Sequence, residues 1–178
     1  MNAETPRPAV PTLHGPRVTL SEMEPADVDA TAKLIATDPR AAAWWSPSAE
    51  TVKQWLVARG YILVAVDVEA ERVGVIGFEE DDDPDYRMAS FDIVIYDRFA
   101  GHGYGPEALR VLARWLAEER GHHRFHIDPA LENTAAIRAY EKVGFRPVGI
   151  MRRHQRGPNG VWRDGLLIDL LAEEITSD

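Results

Sequence analysis

The segment Arg98-Phe-Ala-Gly101-His-Gly103-Tyr-Gly105-Pro106 restricts the architecture of this chain more than any other. It separates a strand-like run, Phe91 to Tyr96, from a helix-like run, Glu107 to Arg120. Glycines at alternate positions permit a tight turn and uncover consecutive N–H groups, because glycine tolerates positive φ and carries no Cβ. Pro106 suits a first helical turn, where its missing N–H is not needed. A loop of free N–H groups that opens a helix is an anion site, reinforced by the positive end of the helix dipole. A phosphate-bearing ligand is therefore expected here. A P-loop is excluded, since no lysine follows Gly105, and the spacing G-x-G-x-G is one residue short of the dinucleotide fingerprint. A ligand-free connector between strand and helix is the alternative.

A second segment bears on that choice: Asp128-Pro-Ala-Leu-Glu-Asn133-Thr-Ala-Ala-Ile-Arg-Ala-Tyr140-Glu-Lys-Val-Gly144-Phe145. Arg98-x-x-Gly101-x-Gly103 followed by Asn133 and Ala-Ile-Arg-Ala-Tyr140-Glu-Lys-Val-Gly-Phe145 resembles the two signature motifs of the GNAT superfamily of acyl-CoA-dependent N-acetyltransferases. The resemblance extends over roughly residues 17 to 171. It implies an α/β fold, with a mixed, mostly antiparallel central sheet and helices on both faces. It also makes acetyl-CoA the phosphate-bearing ligand, with the glycine loop around its pyrophosphate.

Composition agrees with one enzyme-sized domain. A chain of 178 residues with 45% hydrophobic content can bury a core and is short for two ordinary domains. The absence of cysteine removes disulfides, thiolate metal sites and a cysteine nucleophile. No apolar run approaches a membrane span, and no basic start precedes an apolar stretch, so a cytoplasmic protein is expected. Pro6, Pro8, Pro11 and Pro16 mark residues 1–16 as an extended, flexible arm, leaving 17–178 as the acetyltransferase domain. The net charge of −9 speaks against nucleic acid, whose binding needs clustered basic side chains. The run from Glu79 to Asp85 holds six carboxylates in seven residues. It reads either as a solvated loop or as a rim that attracts a cationic substrate.

The patterning orders the elements. A strand is expected from Arg17 to Leu20, a helix from Pro25 to Thr37, and a second helix from Ser46 or Ser48 to Arg59. A hairpin follows over Tyr61 to Val68 and Arg72 to Glu79, then a strand from Arg87 to Tyr96. Beyond the helix Glu107 to Arg120 come a strand, His122 to Ile127, and a helix capped by Asn133 and closed at Gly144. A final hairpin joins Ile150 to His154 and Val161 to Leu171 through Gly157-Pro-Asn-Gly160. A homodimer is left open.

The resemblance assigns site residues. It places Ile93, Val94, Ile95, Arg98, Ala100, Gly101, His102, Gly103, Tyr104, Gly105, Asn133 and Tyr140 around coenzyme A. Tyr140 is expected to protonate the leaving sulfur, unless it only packs the core. Asp92 interrupts an apolar strand, where a carboxylate is costly unless it has a task or points to solvent. A strand aspartate before the glycine loop is similar to the arrangement in aminoglycoside 6'-N-acetyltransferases. There it meets the acceptor amine, which makes Asp92 the candidate base. Trp44, Trp45, Glu79 and Asp128 resemble the substrate side of the same enzymes, and carboxylates with a flat aromatic wall suit a polycationic sugar. An aromatic pair is also common in a core. The opening Leu13-x-Gly-Pro-Arg-Val-Thr-Leu20 and closing Gly160 to Leu171 resemble acetyltransferases of ribosomal-protein N-termini instead. Siderophore-type lysine N-acyltransferases and a non-catalytic acyl-CoA sensor complete the alternatives. His122, His123 and His126 do not converge on one strand face, so no metal is expected.

Overall fold

The computed structural model describes residues 9–44, 48–58 and 61–177. In chain order its elements are Leu13–His14 (β1), Thr19–Glu22 (β2), Val28–Thr37 (α1), Pro39–Ala42 (α2), Ala49–Ala58 (α3), Ile62–Val68 (β3) and Glu71–Asp81 (β4). Then follow Met88–Ile95 (β5), Tyr104–Arg120 (α4), Arg124–Ile127 (β6), Thr134–Glu141 (α5), Arg146–Arg156 (β7) and Trp162–Leu171 (β8). The strands form one sheet in the order β1-β2-β3-β4-β5-β6-β8-β7. Every pairing is antiparallel except that of β5 with β6, which α4 crosses over to make.

Strand alternation divides the interior in two. Ile62, Val64 and Val66 join Ile76, Phe78, Phe91 and Phe125 beneath the α4 stripe of Leu109, Leu112 and Leu116. Leu63, Ala65, Val75 and Val94 face the other way, onto Ala32 and Ile35 of α1 and Val52 and Leu56 of α3. A sheet covered on both faces reads as continuous apolar runs, which is why β3 shows no polar alternation. Truncating Leu112, fully buried, to Ala would cost about 2–5 kcal/mol in lost burial and cavity.

The structure moves several boundaries. The sheet takes in Leu13–His14, which the sequence reading placed in the arm. Val10 is buried in the first core, and its N–H donates to Glu22 Oε2 at 2.8 Å. The described part of residues 1–16 thus docks on the domain through apolar side chains set between the prolines. α4 begins at Tyr104, three residues before Glu107, because Gly103 at φ +84° supplies its N-cap. His122 lies outside β6. β7 starts at Arg146 and carries a bulge: from Met151 to Gln155 it advances four residues while β8 advances only from Gly165 to Arg163. Arg153, at φ +51°, takes up the excess. Between β3 and β4, Glu69 and Ala70 both adopt positive φ, as a two-residue type I′ turn requires.

Candidate active site

β5 and β6 pair only from Met88↔Arg124 to Ser90↔His126. Beyond Ser90 the strands separate, while β5 continues on β4 to Ile95. The edge of β5 from Asp92 onward thereby loses its strand neighbour on one side. A cleft of about 480 Å³ occupies this gap, and Asp92, Ile93, Val94 and Ile95 form one of its walls. Gly74, opposite Ile95, keeps β4 close behind that wall, since a Cβ there would come within 2.3 Å of the Val94 carbonyl oxygen.

The glycine loop closes one end. Ala100, Gly101, Gly103, Tyr104 and Gly105 all line the cleft. Gly101 (φ +81°) and Gly103 (φ +84°) take left-handed conformations that favour glycine. A Cβ on Gly101 would meet nothing, so its backbone is uncovered. The first turn of α4, 17 residues long, has no side-chain cap, leaving its positive end to a ligand. Gly105 lies against β5, where a Cβ would meet Ile95 Cγ1 at 3.3 Å.

The opposite wall comes from α5 and the segment before it. Asp128, Asn133 and Tyr140 line the cleft. Asn133 accepts from the Ala136 N–H at 3.2 Å and so caps α5 while facing the cleft. The Tyr140 ring packs against Phe145, 6.1 Å between centroids. Burial, followed by the carboxylates of Asp92 and Asp128, pushes the Tyr140 phenol above its ordinary pKa of 10.0. Tyr140 therefore remains a proton donor at any physiological pH. Asp92 shares the strand face of Val94, toward α1 and α3, and accepts a 2.6 Å hydrogen bond from Tyr61 Oη. The Tyr61 ring lies over Gly77, where a Cβ would stand 3.3 Å from it. The structure thus gives Asp92 a place on the cleft and an anchoring partner.

The outer end is built from side chains. Trp44, just past α2, lines the cleft together with Arg40. The Arg163 guanidinium stands 5.6 Å from the centre of the Trp44 ring, donates to the Ala43 carbonyl at 3.1 Å and pairs with Glu132 at 3.2 Å. Asp128 Oδ2 lies 3.1 Å from His154 Nε2.

Some expected residues lie elsewhere. Arg98 pairs with Glu71 at 2.9 Å and covers the Phe99 ring, outside the cleft lining. His102 stacks on Tyr104, with its Nδ1 3.1 Å from the Phe99 carbonyl, and is also absent from the lining. Glu79 sits on β4 opposite Ser90, outside the cleft, because strand pairing carries it past the point where β5 and β6 part. Trp45 lies outside the described residues. Among the described residues, Glu80, Asp82 and His122 bring possible metal-ligating atoms within 4.8 Å, and Glu80 already pairs with Arg120 at 2.5 Å. Sequence reading missed Tyr61, Gly77 and Arg163. No local signal could have found them, since Tyr61 and Asp92 are 31 residues apart and Arg163 and Ala43 are 120 apart.

A split parallel strand pair, a glycine-opened helix and a buried tyrosine thus meet around one cleft. The acetyltransferase (GNAT) domain model matches residues 17–146, so the chain belongs to the GNAT acetyltransferase family. It is 37% identical over 57 residues to the uncharacterized N-acetyltransferase YobR of Bacillus subtilis (strain 168), a match covering 32% of this chain and 23% of that protein. Among solved structures, Mycobacterium smegmatis RimJ in complex with CoA-disulfide superposes with a TM-score of 0.77 at 21% identity, covering 94% of this chain and 89% of its own. Spermidine N-acetyltransferase from Vibrio cholerae, in complex with CoA and spermine, gives 0.73 at 20% identity, covering 89% and 97%. Both likenesses are of fold.

Proposed function

We propose that the protein transfers the acetyl group of acetyl-CoA to a primary amine of a cationic small molecule, with the 6'-amine of an aminoglycoside as the favoured acceptor. The observation that carries this reading is the meeting of Asp92 and Tyr140 across one cleft, at the point where β5 leaves β6. The uncovered loop backbone at Gly101 to Gly105 suits the donor pyrophosphate, and the free edge of β5 suits an extended amide chain, which can pair with it as a strand would. The chemistry supplied by the donor is an activated thioester carbonyl.

Asp92 receives the proton of the attacking ammonium, with its orientation fixed by Tyr61. The amine nitrogen then bonds to the carbonyl carbon as the carbon–sulfur bond breaks. Tyr140 gives its proton to the departing sulfur, which leaves as the thiol, and the second proton of the acylated nitrogen passes to the Tyr140 oxygen, leaving a neutral amide and a neutral phenol. Backbone N–H groups along the free edge of β5 would stabilise the negative charge that develops on the carbonyl oxygen. Asp128 and Trp44 offer a second anion and a flat face to the rest of a polycationic acceptor.

A ribosomal-protein N-terminus is the competing acceptor, because a ribosomal-protein-S5-alanine acetyltransferase from Vibrio fischeri shares the fold. Polyamines fall within the proposed class, and a spermidine acetyltransferase shares the fold too. The test is coenzyme A release, followed with a thiol reagent, against aminoglycosides with and without a 6'-amine, spermidine and an N-terminal peptide. Turnover confined to the 6'-amino compounds is expected. Turnover with the peptide alone would remove the small-molecule reading.

A further inference from the structure

Glu107 is among the buried polar residues of the described structure, although it lies in the first turn of a surface helix. Its Oε1 accepts from the N–H groups of Arg17 at 2.6 Å and Val18 at 3.0 Å. Its Oε2 accepts from Arg17 Nε at 2.8 Å and lies 2.7 Å from Arg17 Nη2. The carboxylate is thus saturated by the turn between β1 and β2, 90 residues away in sequence. Gly15 makes the approach feasible, since a Cβ there would crowd Glu107 Oε1 at 3.1 Å.

The remaining arm of Arg17 does something that helix anchoring does not require. Its Nη1 donates to the His102 carbonyl at 2.9 Å, inside the glycine loop. The guanidinium also stands 5.1 Å from the centre of the Tyr104 ring. In a trans peptide the carbonyl and the following N–H point in opposite directions. Holding the His102 carbonyl on Arg17 therefore turns the Gly103 N–H away from Arg17. Gly103 lines the cleft and His102 does not, as expected of a Gly103 N–H that faces the cleft.

We infer that Arg17 is a positioning residue for the donor site: braced on Glu107, it orients the Gly103 N–H toward the pyrophosphate of acetyl-CoA. This rests on the acetyl-CoA reading above. Only an arginine has the fork to bind the carboxylate through one edge and the loop carbonyl through the other end.

The test is the calorimetric affinity for coenzyme A and for pantetheine, which lacks the pyrophosphate, in the wild type, Arg17→Lys and Arg17→Met. Arg17→Lys keeps the positive charge beside Glu107 and loses the second arm, so it remains informative if Arg17→Met fails to fold. The expected result is a roughly tenfold weaker affinity for coenzyme A in either folded variant, the size of one charge-assisted contact, with pantetheine affinity unchanged. Equal weakening of both ligands, or of neither, would overturn the positioning role while leaving the acetyl-CoA reading intact. A wild type that binds no coenzyme A would overturn both.

Discussion

The two ends of the cleft are built by different means. At the proposed donor end the groups on offer are backbone: a strand edge freed by the parting of β5 and β6, two glycines at positive φ and a helix start with no side-chain cap. At the acceptor end side chains from separate elements converge: Trp44 after α2, Asp92 on β5, Asp128 after β6 and Arg163 on β8. A backbone site tolerates sequence change provided the turns survive. A side-chain site changes its preference with each substitution. The chemistry is expected to be held constant by the first end and the acceptor chosen by the second.

The largest effect separates chemistry from both ends. Tyr140→Phe and Asp92→Asn should each lower kcat by about a hundredfold or more, the usual worth of a positioned acid or base, while coenzyme A affinity stays within about twofold. Steady-state kinetics beside calorimetry reads this directly, and unchanged kcat in both variants would break the assigned roles. Next comes the donor wall. Gly74→Ala forces a Cβ against the Val94 carbonyl and should cost about 1–3 kcal/mol in stability, seen as a lowered Tm. The same variant should raise KM for acetyl-CoA with every acceptor alike.

Trp44→Ala tests the other end. Loss of its aromatic face should raise KM for the amine by several-fold, about 1 kcal/mol, and leave KM for acetyl-CoA in place. An equal rise in both constants would mean that the two ends are not separable. The smallest effect is on pH. Burial holds His126 below its ordinary 6.5, so the folded state binds fewer protons than the unfolded one in acid. Stability should then fall as the pH drops below that ordinary value, and His126→Asn should flatten this slope in denaturant melts.

The same division explains what the sequence made legible. The glycine loop and the motif ending in Tyr140 are local patterns, since backbone conformation and helix phase are set by near neighbours. They yielded the family and many of the residues that line the cleft. Residues that depend on long-range approach were misplaced or overlooked. Resemblance to the substrate side of aminoglycoside 6'-N-acetyltransferases puts Glu79 at the acceptor site, whereas the β4–β5 register sets it opposite Ser90, outside the cleft. Tyr61 drew no attention, because its role follows from a missing side chain at Gly77 and a carboxylate on the next strand but one. The arm boundary failed for a related reason: Val10 and Leu13 look like isolated apolar residues among prolines until the core they enter is assembled.

The central claim is that the gap between β5 and β6 delivers an acetyl group from acetyl-CoA to an amine. Mass spectrometry of an aminoglycoside bearing a 6'-amine, after incubation with protein and acetyl-CoA, tests it most directly. A single added acetyl group on the amine is expected, stoichiometric with released coenzyme A and formed far more slowly in Tyr140→Phe. Coenzyme A binding without acetylation of any amine offered would contradict it and leave an acyl-CoA-binding protein in its place.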